Sequence, residues 1–160
     1  MNAPAPGREE FALTSRSPEE TEQIGATLGP CLAVGDLVSL VGPLGAGKTR
    51  FVAGLARGVG YQARVRSPTF TLLNQYDAEP VLHHADLYRL ENGGLDDLGL
   101  EDALREGVLV VEWGDRLPGS WLTDVLWIEF VIVDENTRRL SVTARGPRSS
   151  KLLDSWRSHG

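Results

Sequence analysis

The residues with the most specific chemistry are Gly42-Pro43-Leu44-Gly45-Ala46-Gly47-Lys48-Thr49, which spell G-x-x-x-x-G-K-T. Glycines allow backbone conformations closed to other residues and let the chain approach a ligand closely. Successive N–H groups at a helix start then line a concave nest for an anion. Lys48 is placed to reach the terminal phosphates of a nucleotide, and the Thr49 hydroxyl to join the shell of a Mg²⁺ ion. In a chain of this composition the pattern arises by chance on the order of once in several hundred sequences. Of the 16 basic residues, only Lys48 and Lys151 are lysine. A compact ammonium suits a phosphate cradle better than the planar fork of arginine.

Two acids are candidates to complete such a site. Val108-Leu109-Val110-Val111-Glu112-Trp113 is an apolar run ending in a carboxylate. Four apolar residues without alternation indicate a strand buried on both faces, and an acid at its end lies where such sheets bind ligands. Glu112 is therefore expected to serve Mg²⁺ or to polarise the attacking water. Trp113 is read either as core or as a cover over the nucleotide. In His83-His84-Ala85-Asp86-Leu87-Tyr88-Arg89, alternation puts His84, Asp86 and Tyr88 on one face. Asp86 is then a second candidate metal ligand or water-orienting group, or else a surface acid paired with Arg89. Zinc is not expected, because neighbouring histidines point to opposite faces of a strand. Ser67-Pro68-Thr69 stands where many P-loop NTPases place a γ-phosphate sensor, although an ordinary polar strand entrance fits equally.

The elements that must position these groups follow from pattern. Residues 1–10 are read as a disordered N-terminus, 11–145 as one nucleotide-binding domain, and 146–160 as a tail or short, mainly solvated helix. Phe11–Thr14 suits an edge strand. Ser17-Pro18-Glu19-Glu20 starts a helix, with Ser17 as N-cap and Glu20 placed for a capping box. Leu37–Val41 is the strand before the glycine turn, and Phe51, Val52, Leu55 and Val59 stripe the helix after it. Residues 72–76 and 80–87 read as a hairpin around Asp77–Pro80. Leu95–Leu104 reads as one helix with an acidic solvent face, and residues 125–132 and 139–144 as two further strands. The fold class is thus α/β, a P-loop NTPase fold in a single domain whose mixed β-sheet is flanked by helices.

Composition narrows the alternatives. The chain has 160 residues, 41% of them apolar, and a net charge of −6, which argues against nonspecific nucleic-acid binding and leaves DNA out of the expected partners. The basic tail (Arg145, Arg148, Lys151, Arg157) allows at most a weak polyanion contact. Cys31 is the only cysteine, so no internal disulfide forms, and it reads as a small core residue. No run approaches membrane-spanning length and no leader pattern stands at the start, so a cytoplasmic protein without membrane contact is expected.

Leu44–Thr49, Ser67-Pro68-Thr69-Phe70-Thr71-Leu72, His84-x-Asp86-x-Tyr88-Arg89 and Val111-Glu112-Trp113, in this order, resemble the TsaE family, also called YjeE. Those proteins are the ATPase component of bacterial tRNA threonylcarbamoyladenosine synthesis. The resemblance implies ATP hydrolysis that supports TsaD and TsaB, which place the threonylcarbamoyl group on adenosine 37 of tRNAs reading ANN codons. It implies phosphate contacts from Gly45, Ala46, Gly47, Lys48 and Thr49. Thr49, Glu112 and Asp86 are then implied as metal-site residues, with Lys48, Asp86 and Glu112 catalytic. Thr21 and Trp113 match positions beside the nucleotide, and Ser67, Pro68 and Thr69 a switch-like segment. Arg50 replaces a common second threonine and bears on contacts at the α-phosphate, while Ala85 replaces the usual aromatic before Asp86. The alternative is a small-molecule P-loop kinase, for which no Arg-bearing lid segment is visible. A GTPase is disfavoured because Asn74-Gln75-Tyr76-Asp77 lacks the lysine of a guanine motif.

Overall fold

Among the described residues seven strands form one sheet, in the order Glu10–Ser15, Arg138–Arg145, Val125–Ile132, Leu37–Val41, Val108–Glu112, Leu82–Asp86, Leu73–Tyr76. The architecture comes from a computed structural model that describes residues 10–66, 72–90 and 94–159. Residues 1–9, and with them most of the segment read as disordered, lie outside the described residues, as do Ser67, Pro68 and Thr69. The strands are β1 (Glu10–Ser15), β2 (Leu37–Val41), β3 (Leu73–Tyr76), β4 (Leu82–Asp86), β5 (Val108–Glu112), β6 (Val125–Ile132) and β7 (Arg138–Arg145). The helices are α1 (Pro18–Leu28), α2 (Lys48–Gly58), α3 (Leu100–Glu106) and α4 (Pro147–His159). β2 lies between β5 and β6, parallel to both, and β4 is parallel to β5. The pairs β1–β7, β6–β7 and β3–β4 are antiparallel, so the sheet is mixed as its pattern predicts.

Central position explains the apolar strands. β5 is buried along its whole length, and Val108 and Val110 face one core while Leu109 and Val111 face the other. The first core lies beneath α1, α2 and α4 and holds Leu28, Phe51, Leu55, Phe130 and Trp156. The second packs Leu100 and Ala103 of α3 against Leu109, Val111 and Trp127.

Local signals start and stop the helices. The Ser17 side chain accepts a hydrogen bond from the Glu20 amide (3.0 Å), as an N-cap should. The return bond differs from the expected capping box: Arg16 N–H, not Ser17 N–H, donates to Glu20 Oε1 at 2.7 Å. The single helix expected over 95–104 is broken. Leu95–Leu98 forms a 3-10 turn, Gly99 takes a left-handed φ of 74°, and α3 begins only at Leu100. Glycine adopts that conformation without steric cost, which lets the chain redirect between the two helical pieces.

The C-terminal segment is more than a solvated helix. Leu152, Leu153 and Trp156 of α4 are buried, and Trp156 meets the Phe11 ring edge-on at 5.4 Å. Trp156 Nε1–H also donates to Thr27 Oγ1 at 2.8 Å. The Asp124 carboxylate, twenty-odd residues upstream, accepts from the amides of Arg148 (3.0 Å) and Ser149 (2.9 Å) and so caps the helix start.

Helices α1 and α2 approach closely enough to need glycine at the contact. A Cβ on Gly54 would overlap the Glu22 carbonyl oxygen, and one on Gly25 the Phe51 carbonyl oxygen. Alanine is about 1 kcal/mol better than glycine inside an exposed helix. Gly54→Ala is nevertheless expected to destabilise by roughly 1–3 kcal/mol, because backbone, not a movable side chain, obstructs the methyl group. Thermal denaturation checks this: the melting temperature should fall by several degrees, and an unchanged or higher value contradicts the close approach.

Candidate active site

The glycine turn leads from β2 into α2 through two left-handed glycines, Gly45 (φ 78°) and Gly47 (φ 102°). A side chain at either would be strained whatever the space around it. The first bond of α2 runs from Phe51 N–H to the Gly47 carbonyl at 2.9 Å. The amides of Lys48, Thr49 and Arg50 therefore precede the helical ladder, at its positive end. Residues 44–50 form one wall of a cleft of about 310 Å³, and Asp86, Tyr88, Glu112 and Trp113 form the other.

Lys48 is buried at 4% exposure, and its ammonium donates to the carbonyls of Gly42 (2.6 Å) and Pro43 (2.9 Å). Burial pushes its pKa below the usual lysine range, against the opposing pull of the Glu112, Asp86 and Asp115 carboxylates. Nζ also lies 4.3 Å from the centre of the Trp113 ring, a cation–π contact that favours the charged form. Trp113 holds a left-handed backbone (φ 60°), and its N–H is tied to the Leu40 carbonyl of β2 at 2.9 Å. Tyr88 packs on the other part of this aromatic wall, its ring centre 5.0 Å from that of Trp113.

Register brings the two acids together. Asp86 is paired with Glu112 across the parallel β4–β5 ladder, so both side chains leave the same face at the same level. Asp86 is half-buried, and its Oδ1 accepts from Tyr88 N–H at 2.9 Å. Glu112 is buried, and its Oε2 accepts from the Thr49 hydroxyl at 2.7 Å. Giving its proton to Glu112 leaves Thr49 with oxygen lone pairs for a cation. A hydroxyl and two carboxylates make a hard oxygen set, which fits Mg²⁺. Among the described residues no cluster of three or more His, Cys, Asp and Glu forms a metal site of its own.

Other expected residues stand less directly on the cleft. Thr21 is 2% exposed, and its hydroxyl is engaged by Ser15 Oγ at 2.7 Å and the Ser17 carbonyl at 3.3 Å. It stands directly behind Gly47: a Cβ there would lie 3.5 Å from its methyl group and 3.9 Å from its hydroxyl oxygen. Arg50 borders the cleft while its Nε–H donates to Glu22 of α1 at 2.8 Å. His83 and His84 do face opposite ways, His83 Nε2 toward Glu106 (3.1 Å) and His84 Nε2 toward Glu112 (2.6 Å).

Three groups beside the cleft have no role in the sequence reading. Tyr76 contacts His84 from the neighbouring strand, its hydroxyl 2.9 Å from Nδ1. Arg116 donates to the carbonyl of Tyr88 at 2.7 Å, and its guanidinium lies 5.8 Å from the centre of the Trp113 ring. Arg138, from the start of β7, donates to the Gly45 carbonyl at 3.3 Å. For His84 a signal existed, since it shares the face of Asp86; for the two arginines and Tyr76 none did.

The chain is similar to known proteins in sequence and in fold. The family described as "Threonylcarbamoyl adenosine biosynthesis protein TsaE" matches residues 15–140, which extends the likeness past the four motifs into β7. A tRNA threonylcarbamoyladenosine biosynthesis protein TsaE from Treponema pallidum is 38% identical over 80% of this chain and 96% of its own length. One from Bacillus subtilis is 36% identical over 89% of this chain and 91% of its own. The crystal structure of Bacillus subtilis YdiB superposes with a TM-score of 0.79 at 30% identity, covering 97% of this chain and 99% of that one. By sequence and by fold, the chain belongs to the TsaE family of threonylcarbamoyl adenosine biosynthesis proteins.

Proposed function

We propose that this chain is a Mg²⁺-dependent ATPase that supports formation of the threonylcarbamoyl group on adenosine 37 of tRNAs reading ANN codons. It acts with TsaD and TsaB, does not itself perform the transfer, and meets tRNA only indirectly or weakly. Its setting is the cytoplasm. The observation that supports the reading best is the convergence of Lys48 and Thr49, at the start of α2, with Asp86 and Glu112 from adjacent parallel strands. Family membership supports the pathway.

In this reading the turn amides and Lys48 bind the β- and γ-phosphates, and Trp113 closes one side against water. Thr49, Glu112 and Asp86 would hold Mg²⁺. When bound, the ion would offset charge gathering on the oxygens of the transferred phosphoryl group. Glu112 and Asp86 orient a water toward the γ-phosphorus. The water oxygen bonds to phosphorus, the bond to the bridging oxygen of ADP breaks, one water proton stays on the phosphate and the other passes to solvent, and ADP and phosphate leave. Little covalent chemistry is asked of the protein, so positioning and electrostatics carry the rate.

The test is phosphate release from ATP by the purified full chain, alone and with TsaD and TsaB. Slow turnover alone that rises with the partners is expected. No phosphate release under either condition, or phosphate passed to a metabolite instead of water, overturns the reading.

A further inference from the structure

The Glu112 carboxylate is held from behind by a motif residue to which the sequence assigns no role. His84 is completely buried at 0% exposure on β4, and its Nε2 lies 2.6 Å from Glu112 Oε2. The imidazole packs in turn against Tyr76: its Nδ1 lies 2.9 Å from the hydroxyl oxygen, and that hydroxyl donates to the Arg66 carbonyl oxygen at 3.0 Å. Asn74 Nδ2 donates to the same carbonyl at 3.1 Å. The result is a buried line of contacts, Tyr76–His84–Glu112, across β3, β4 and β5, which ends outside the core at the carbonyl of the exposed Arg66.

Both protein hydrogen bonds to Glu112, from Thr49 and from His84, land on Oε2. Among the described residues Oε1 has no hydrogen-bond partner, and Glu112 lines the cleft. Thr49 sits on the glycine-turn helix and approaches from the ligand side. His84 belongs to the sheet and approaches from the core. Of the two anchors, only His84 is independent of how the turn and its helix respond to a nucleotide.

We infer that His84 is a positioning residue, held by Tyr76, that pins Oε2 of Glu112 and thereby presents Oε1 to the reacting end of the nucleotide. This rests on the ATPase reading above and deepens it. A buried polar anchor behind a reacting carboxylate is worth about 10–100-fold in activity when removed. Ground-state affinity should change little, because the phosphates are gripped by Lys48 and the turn.

The test uses the full chain and compares three substitutions at one position. The side-chain amide nitrogen of glutamine reaches about as far as imidazole Nε2, whereas that of asparagine reaches only as far as Nδ1. His84→Leu is expected to lower kcat by about 10–100-fold with the Kd for ATP within about threefold. His84→Gln should recover most of the lost rate, and His84→Asn should not. Wild-type kcat in a folded His84→Leu protein, or equal losses in the glutamine and asparagine variants, would overturn the inference.

A second measurement needs no turnover. The imidazole ¹⁵N signals of His84, identified by their loss in His84→Gln, are followed in nucleotide-free protein. Glu112→Gln should move the Nε2 signal and Tyr76→Phe the Nδ1 signal. If neither moves, the chain of contacts is absent and the inference fails, even where His84→Leu does not fold. Absence of ATP hydrolysis by the wild type would instead strike the ATPase reading, leaving the imidazole result to stand or fall separately.

Discussion

Lys48→Ala is expected to weaken ATP binding at least 100-fold, about 2.7 kcal/mol, while the protein stays folded. The ammonium is held by the Gly42 and Pro43 carbonyls and lies over the Trp113 ring, on a side chain only 4% exposed. Each charge-assisted hydrogen bond to a phosphate oxygen in such a setting contributes about 1.5–3 kcal/mol. Removing the cation also leaves Glu112, Asp86 and Asp115 facing a polyanion without the countercharge that now lies among them. The fold does not depend on it in the same way. Burial already disfavours the Lys48 charge, so its loss removes a desolvated ammonium together with two hydrogen bonds. Calorimetric titration with ATP and Mg²⁺ decides the affinity, and circular dichroism the fold. Affinity within about threefold of wild type would mean that the glycine turn does not hold the triphosphate.

Glu112→Gln separates charge from shape. The amide keeps an oxygen that can accept the Thr49 and His84 bonds, and it fits the same buried space. Lost are the negative charge and the second acceptor oxygen that would face metal and water. We expect kcat to fall by about 10²–10³-fold, the cost of removing one preorganised electrostatic contact, with little change in ATP affinity. Asp86→Asn should follow the same pattern with a smaller loss, since Asp86 is only half-buried and its Oδ1 already accepts from Tyr88 N–H. Single-turnover hydrolysis at saturating ATP is the measurement. Rates equal to wild type for both variants would remove the two carboxylates from the mechanism.

Both experiments probe groups that the amino-acid sequence announces, and the reason is locality. The glycine turn is contiguous, so its positive-φ glycines, the cation and the helix start at Lys48 all follow from eight neighbouring residues. The burial of β5 follows from Val108–Val111, because only a strand covered on both faces tolerates four apolar residues without alternation. The start of α1 was legible in Ser17 and Pro18 for the same reason: a cap is a bond between residues three apart.

What tertiary structure alone decided is which of these pieces face one another. Alternation puts His84 and Asp86 on one side of β4, but only the parallel pairing with β5 sets Asp86 level with Glu112 and brings Nε2 of His84 onto its carboxylate. Periodicity identifies a face and not the neighbour across it. The docking of α4 through Trp156 and Leu153 was hidden by a polar tail whose apolar residues make sense only against Phe11 and Phe51. The resemblance puts Thr21 beside the nucleotide, and only the β1–α1 corner shows that Ser15 and the Ser17 carbonyl also engage its hydroxyl. Short-range geometry is encoded where it occurs; contacts between strands and helices exist only once the sheet order has chosen the partners.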